Sequence, residues 1–213
     1  SGQENRADLE GFEGGIRLTL SSNLANQTQM SDLALVYARG KEPYSLIEDA
    51  AQMALRLTGK GLKLRREKRF PGIFEKIGWC TWDSLGQKVN EKAILEKMDE
   101  FREKNLPIAW VLIDDGWSLA NQERLTLAGL DADPEKFPKG IGETVRVLKQ
   151  EYQVEQVGVW QAVKGYWCGV EEGSQAEKEL GAYLTRYPNG ELTVRPQAEA
   201  AFGFWNRWHA YLK

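Results

Sequence analysis

Two adjacent carboxylates, Asp114 and Asp115, close an apolar run, Ile108-Ala-Trp-Val-Leu-Ile113, and Gly116 breaks the chain directly after them. A run apolar on both faces, with no polar alternation, suits a parallel strand covered on both sides. An ionised carboxylate is costly to bury unless it is paired or hydrogen-bonded. Two in succession at a strand end therefore point to the carboxyl end of a parallel strand, opening onto a polar pocket, where parallel α/β folds hold their ligands. The plainer alternative is that one of them only caps a turn.

Other chemistry is thinly provided for. The single histidine, His209, leaves no His-based triad or His-rich metal site. Cys80 and Cys168 have no metal-type spacing and form no disulfide framework. No glycine-rich phosphate loop follows a strand, which disfavours a doubly wound nucleotide-binding domain. No cofactor is expected. The 28 basic and 31 acidic residues leave a formal charge of −3, and the one basic run, Lys63–Arg69, reads as a solvated linker and not a nucleic-acid site. No apolar run spans a bilayer and the start does not read as a signal peptide, so no membrane partner and a cytoplasmic location are expected. Eight tryptophans are many for 213 residues; such rings line sugar pockets as readily as they fill cores.

The elements that must position the carboxylates follow from periodicity. Gly15–Leu20 alternates as a strand, Leu33–Tyr37 is a second candidate, and residues 21–26 read as the turn between them. A helix begins at Ser45 and stops at Gly59, and residues 60–74 form a linker. From Phe74 the pattern becomes strand, helix, strand, helix. Lys76–Trp82 is a strand, and a helix over 91–104 is capped by Asn90. The strand into Asp114 comes next, then a loop over 118–139 with a turn at Asp133-Pro134. A helix over 140–152 and a strand at Val157–Gln161 complete the alternation. An irregular stretch, 163–196, holds a short helix opened by Ser174 and Glu177 and a turn at Tyr187–Gly190. An amphipathic helix over 198–213 would bury Trp205 and Trp208. Three βα units in a row imply an α/β fold with a parallel sheet.

The motifs GWCTWD at 78–83, IDDGW at 113–117, KFPKG at 136–140 and GVWQAVKGYW at 158–167 together resemble glycoside hydrolase family 36, in its α-galactosidase and raffinose synthase (seed imbibition protein) branch. The resemblance covers about residues 41–213. It implies the first three βα units of a (β/α)8 TIM barrel over 75–213, preceded by the tail of an N-terminal β-sandwich domain over 1–40, with a helix and linker over 41–74. It implies that Asp114 and Asp115 accept from the 4- and 6-hydroxyls of a terminal galactose, and that Trp82 and Trp160 line the pocket. Trp117 could serve the pocket or the structure equally. Tyr166 and Trp167 could cap the site or pack their own loop. The family's nucleophile and acid/base, both Asp, are expected beyond Lys213, so no catalytic residue is assigned within the chain.

The geometry is compatible with that division. A retaining glycosidase needs two carboxyls roughly 5–5.5 Å apart across the anomeric carbon. Successive strand side chains diverge, so Asp114 and Asp115 suit hydroxyl recognition better than bond cleavage. Two positions depart from the family pattern: Gln161 where the raffinose-synthase branch carries His, which weighs against transfer, and Cys168 where Gly is usual. The expected function is retaining hydrolysis of terminal α-galactosides, with galactosyl transfer or a non-catalytic carbohydrate-binding module as alternatives. Three strands leave sheet edges and an inner face open. The 213-residue chain is therefore expected to associate with itself or with the rest of a barrel, and to lack activity alone because the family's catalytic pair is expected beyond Lys213.

Overall fold

The computed structural model describes residues 5–22, 28–31, 33–59 and 61–194. The chain divides into two units, residues 1–70 and 71–213. In the first, β1 (Asn5–Phe12) and β2 (Gly15–Ser22) form an antiparallel hairpin with Leu9 opposite Leu18 and Phe12 opposite Gly15. The expected strand at Leu33–Tyr37 is not one. The partner of β2 lies on its other side, where a two-residue connection pairs the strands with little loop-closure entropy. Helix α1 (Pro43–Thr58) starts two residues ahead of the expected Ser45. Proline is preorganised for a first helical turn, and the Glu42 carboxylate accepts the Ser45 N–H at 2.7 Å. Of the turn expected over 21–26, residues 21–22 belong to β2 and residues 23–26 lie outside the described residues.

The second unit is the α/β part. Strands β3 (Gly78–Cys80), β4 (Trp110–Ile113) and β7 (Gln156–Val159) form one parallel sheet in that order, with Gly78 opposite Trp110 and Trp110 opposite Gln156. Helices α3 (Glu91–Glu103) and α4 (Ile141–Glu151) connect them. Asn90 caps α3, its side-chain oxygen accepting the Ala93 N–H at 2.9 Å. Ile94 and Met98 of α3, and Ile141 and Leu148 of α4, are buried in a core shared with Val111 and Ile113. The opposite face of β4 differs from the expectation of full cover: Trp110 and Leu112 are only half-buried. The Trp110 indole lies across Gly78, where even a Cβ would come within 1.8 Å of it.

Three further expectations are corrected. The first strand ends at Cys80, so Trp82 does not close it but opens a short helix, α2 (Trp82–Leu85). Thr81 is the cause: its N–H completes the ladder on Leu112 O at 3.0 Å, while its C=O already accepts the Leu85 N–H at 2.9 Å. Residues 118–139 are not all loop, since β5 (Ser118–Asn121) and β6 (Thr126–Ala132) form an antiparallel hairpin. The buried positions of β6 run Leu127 and Gly129 and then, one residue out of phase, Leu130 and Ala132, so no period-two apolar pattern shows in the sequence, and Asp131 stands in the strand and not in a loop. The irregular stretch holds, besides α5 (Gln175–Leu180), a hairpin of β8 (Leu184–Arg186) and β9 (Leu192–Val194) turning at Tyr187–Gly190. The expected helix over 198–213, with Trp205, Trp208 and His209, lies outside the described residues.

Candidate functional site

Asp114 and Asp115 follow the last residue of β4, at the carboxyl end of the central parallel strand. The turn there requires Gly116, whose φ is +105° and whose missing Cβ lets the backbone of Gln87 approach; a Cβ would sit 2.6 Å from Gln87 Cα. The two carboxylates then meet different surroundings.

Asp115 is buried, with 2% of its surface exposed. It is held by three neutral donors: Tyr166 OH at 2.7 Å on Oδ1, and Gln87 Nε2 at 3.1 Å and Trp167 Nε1 at 3.0 Å on Oδ2. Asp114 is half-buried and less engaged. Its N–H donates to Thr81 Oγ1 at 2.9 Å, its Oδ1 accepts the Asp115 N–H at 2.7 Å, and its Oδ2 accepts the Cys80 thiol at 3.0 Å. Asp114 thus does cap the turn. A carboxylate has about four acceptor positions, so each oxygen of Asp114 retains one, and Asp115 retains one on Oδ1. Burial, with the Asp114 contact second, pushes the Cys80 thiol above its ordinary value, which keeps it protonated as a donor.

The aromatic residues gather around Asp115. Trp160 N–H extends the ladder past β7 to Ile113 O at 2.8 Å, and the fully buried Trp117 donates its indole N–H to Trp160 O at 2.7 Å. Trp160 packs edge-on to Tyr166 at 6.0 Å between ring centroids and tilted against Trp167 at 5.3 Å. Tyr166 is fully buried, whereas Trp167 is 52% exposed and Trp82 46%. Residues 165–171 form a strap stitched to both hairpins: Cys168 N–H to Leu125 O at 2.7 Å, Leu127 N–H to Gly169 O at 2.9 Å, and Val170 N–H to Leu192 O at 2.7 Å. Glu171 anchors its end, accepting from Asn121 at 3.2 Å, Arg124 at 2.9 Å and Thr126. Asp114, Asp115, Trp117, Trp160, Tyr166 and Trp167 therefore form one cluster. Trp82 stands beside Thr81, at the start of α2, on the solvent side.

Sequence reasoning missed Gln87, which lies in no recognisable pattern, and Lys136, which lies in a noted motif with no role attached. Lys136 Nζ donates to Gly116 O at 2.6 Å and to Gln87 O at 2.9 Å. Among the described residues no group of three or more His, Cys, Asp or Glu could hold a metal, and no helix is long and apolar enough to cross a membrane. A cavity of about 480 Å³ lies at the amino end of β4, lined by Phe101, Leu106, Pro107 and Tyr152, and it contains none of the clustered residues.

Burial, reinforced by the bond to Asp115, pushes the Tyr166 phenol well above its ordinary value near 10. A phenol that ionises more readily unfolded than folded gives stability that is whole below about pH 10 and is lost as pH rises past it. Tyr166→Phe should flatten that alkaline loss in urea titrations at pH 9 and pH 11. Parallel losses in both proteins would show that Tyr166 does not resist ionisation.

The family model for "Raffinose synthase or seed imbibition protein Sip1" matches residues 4–137. The chain is 28% identical over 209 residues to a probable galactinol–sucrose galactosyltransferase 6 of Arabidopsis thaliana, covering 84% of the chain and 27% of that protein. It is 34% identical over 158 residues to a galactinol–sucrose galactosyltransferase of Oryza sativa subsp. japonica, covering 63% and 20%. Among solved structures it is similar to a family 36 α-galactosidase of Geobacillus stearothermophilus, at 18% identity and a TM-score of 0.45, over 62% of the chain and 19% of that protein. The chain spans about a quarter of the length of the curated relatives it matches.

Proposed function

Because the chain belongs to the raffinose synthase or seed imbibition protein family, we propose that it supplies the galactose-recognising part of a galactoside-processing enzyme. The observation that carries this reading is the Asp114–Asp115 pair at the carboxyl end of the central parallel strand, against the cluster of Trp160, Tyr166 and Trp167. Asp114, with a free acceptor position on each oxygen, takes the sugar hydroxyls, and Asp115 adds at most one more contact. The axial 4-hydroxyl of galactose meets an acceptor that an equatorial hydroxyl leaves unpaired, which is how a buried polar site rejects the wrong sugar. Trp82 and Trp167 offer exposed ring faces for the apolar side of the sugar.

In this reading residues 75–213 are the first three βα units of a (β/α)8 barrel. Residues 1–40 are the tail of a β-sandwich, and the two catalytic carboxyls come from other strands. The whole protein then removes terminal α-galactose with retention. A second reading, transfer of galactose to another sugar, is favoured by the relatives, which are named as galactosyltransferases.

The deciding assay gives the whole protein a chromogenic α-galactoside, and separately galactinol with sucrose. Release of the chromophore and free galactose is expected for hydrolysis. A trisaccharide formed without free galactose selects transfer. Galactose binding without turnover selects a binding module, and cleavage of β-galactosides or glucosides instead removes the proposal.

A further inference from the structure

We propose that Lys136 is a positioning residue for the Asp114–Asp115 pair, its ammonium bridging the two backbone turns that aim the carboxylates. The inference rests on the galactose reading above only for its ligand readout. The turn after β4 and the 3-10 turn Gly86–Lys88 touch backbone to backbone, since a Cβ on Gly116 would overlap Gln87 Cα. Lys136 Nζ ties these turns together through Gly116 O at 2.6 Å and Gln87 O at 2.9 Å. Gln87 in turn presents its amide to Asp115 Oδ2 at 3.1 Å.

The lysine is itself firmly placed. Its N–H donates to Asp133 O at 3.1 Å and its C=O accepts the Glu91 N–H at 3.0 Å, at the start of α3. The next residue, Phe137, is buried in the core. One residue thus joins the entrance of α3, through its backbone C=O, to the Gln87 turn and the carboxylate turn, through its ammonium. A lysine carries three donors and no acceptor, and here it forms no salt bridge among the described residues. Charge-assisted bonds to carbonyls are the stronger kind. They let Lys136 set the geometry of Asp115 through the backbone and through Gln87, and of Asp114 through the turn they share, without neutralising either carboxylate.

The test uses Lys136→Met, which keeps the apolar stem and removes the donors, and Lys136→Arg, which restores a cation. Amide hydrogen exchange on the whole protein, without ligand, reads the brace directly. In Lys136→Met the segments 85–90 and 113–118 should exchange about tenfold faster, with the α4 amides unchanged and Lys136→Arg partly restored. KM for an α-galactoside should rise about tenfold while kcat stays within about threefold, the mark of lost binding geometry. Exchange unchanged in both segments, or raised equally throughout, overturns the proposal, as does an unaltered KM with the segments loosened. A wild-type protein that binds no galactoside removes the reading of function instead, and the exchange data still decide the brace.

Discussion

Asp115→Leu should lower the stability of the protein by on the order of 3–5 kcal/mol, while Asp115→Asn should cost about 1 kcal/mol. Leucine would strand the Tyr166 hydroxyl, the Gln87 amide and the Trp167 indole N–H, which now converge on one carboxylate with 2% of its surface exposed. Each buried donor left without an acceptor costs about 1–3 kcal/mol; the Trp167 indole, on a half-exposed residue, can turn to water. Asparagine can keep all three bonds. Its oxygen accepts from Gln87 and Trp167, and its NH2 donates to the Tyr166 oxygen, because a phenol both donates and accepts. Urea denaturation of the two variants measures the gap. Equal losses would mean that the negative charge, and not the hydrogen-bond geometry, is what Asp115 contributes.

Asp114→Asn should do the reverse, leaving stability within about 1 kcal/mol and lowering kcat/KM on α-galactosides by about 10–150-fold. That range is the loss of one charge-assisted hydrogen bond, about 1.5–3 kcal/mol, at about 1.4 kcal/mol per factor of ten. The fold is spared because an amide oxygen can still accept the Asp115 N–H and an amide NH2 can face the Cys80 sulfur. Steady-state kinetics on the whole protein decide the matter, and an unchanged kcat/KM would reduce Asp114 to the turn cap it also is.

The parallel alternation was legible because each part of it has a local cause. The Asn90 cap, the i, i+3 and i+4 spacing of α3 and the apolar run of β4 need nothing distant to be recognised. Adjacent carboxylates at the end of that run were legible for the same reason. What the sequence could not show is the difference between them. Asp115 meets Gln87, Tyr166 and Trp167 while Asp114 meets Thr81 and Cys80, and no periodicity marks a partner across a fold. The β5–β6 hairpin was hidden because the alternation of β6 changes phase between Gly129 and Leu130. Trp82 was misplaced because the strand ends at Thr81, whose N–H closes the ladder on Leu112 O, a long-range contact, while its C=O already accepts the Leu85 N–H of α2. The Leu33–Tyr37 run shows the opposite error, a strand-like apolar composition in a segment that forms no strand.

The three donors that meet on Asp115 lie 28, 51 and 52 positions along the chain from it. Contacts of that separation close only after the intervening chain has lost its loop entropy. The carboxylate cannot be enclosed until α3, the β5–β6 hairpin and α4 have condensed on the sheet. Until then it stays hydrated and resists collapse of the strand end around it. The cluster is therefore a late event on the folding path, and its completion reports that the parallel strands have found their order.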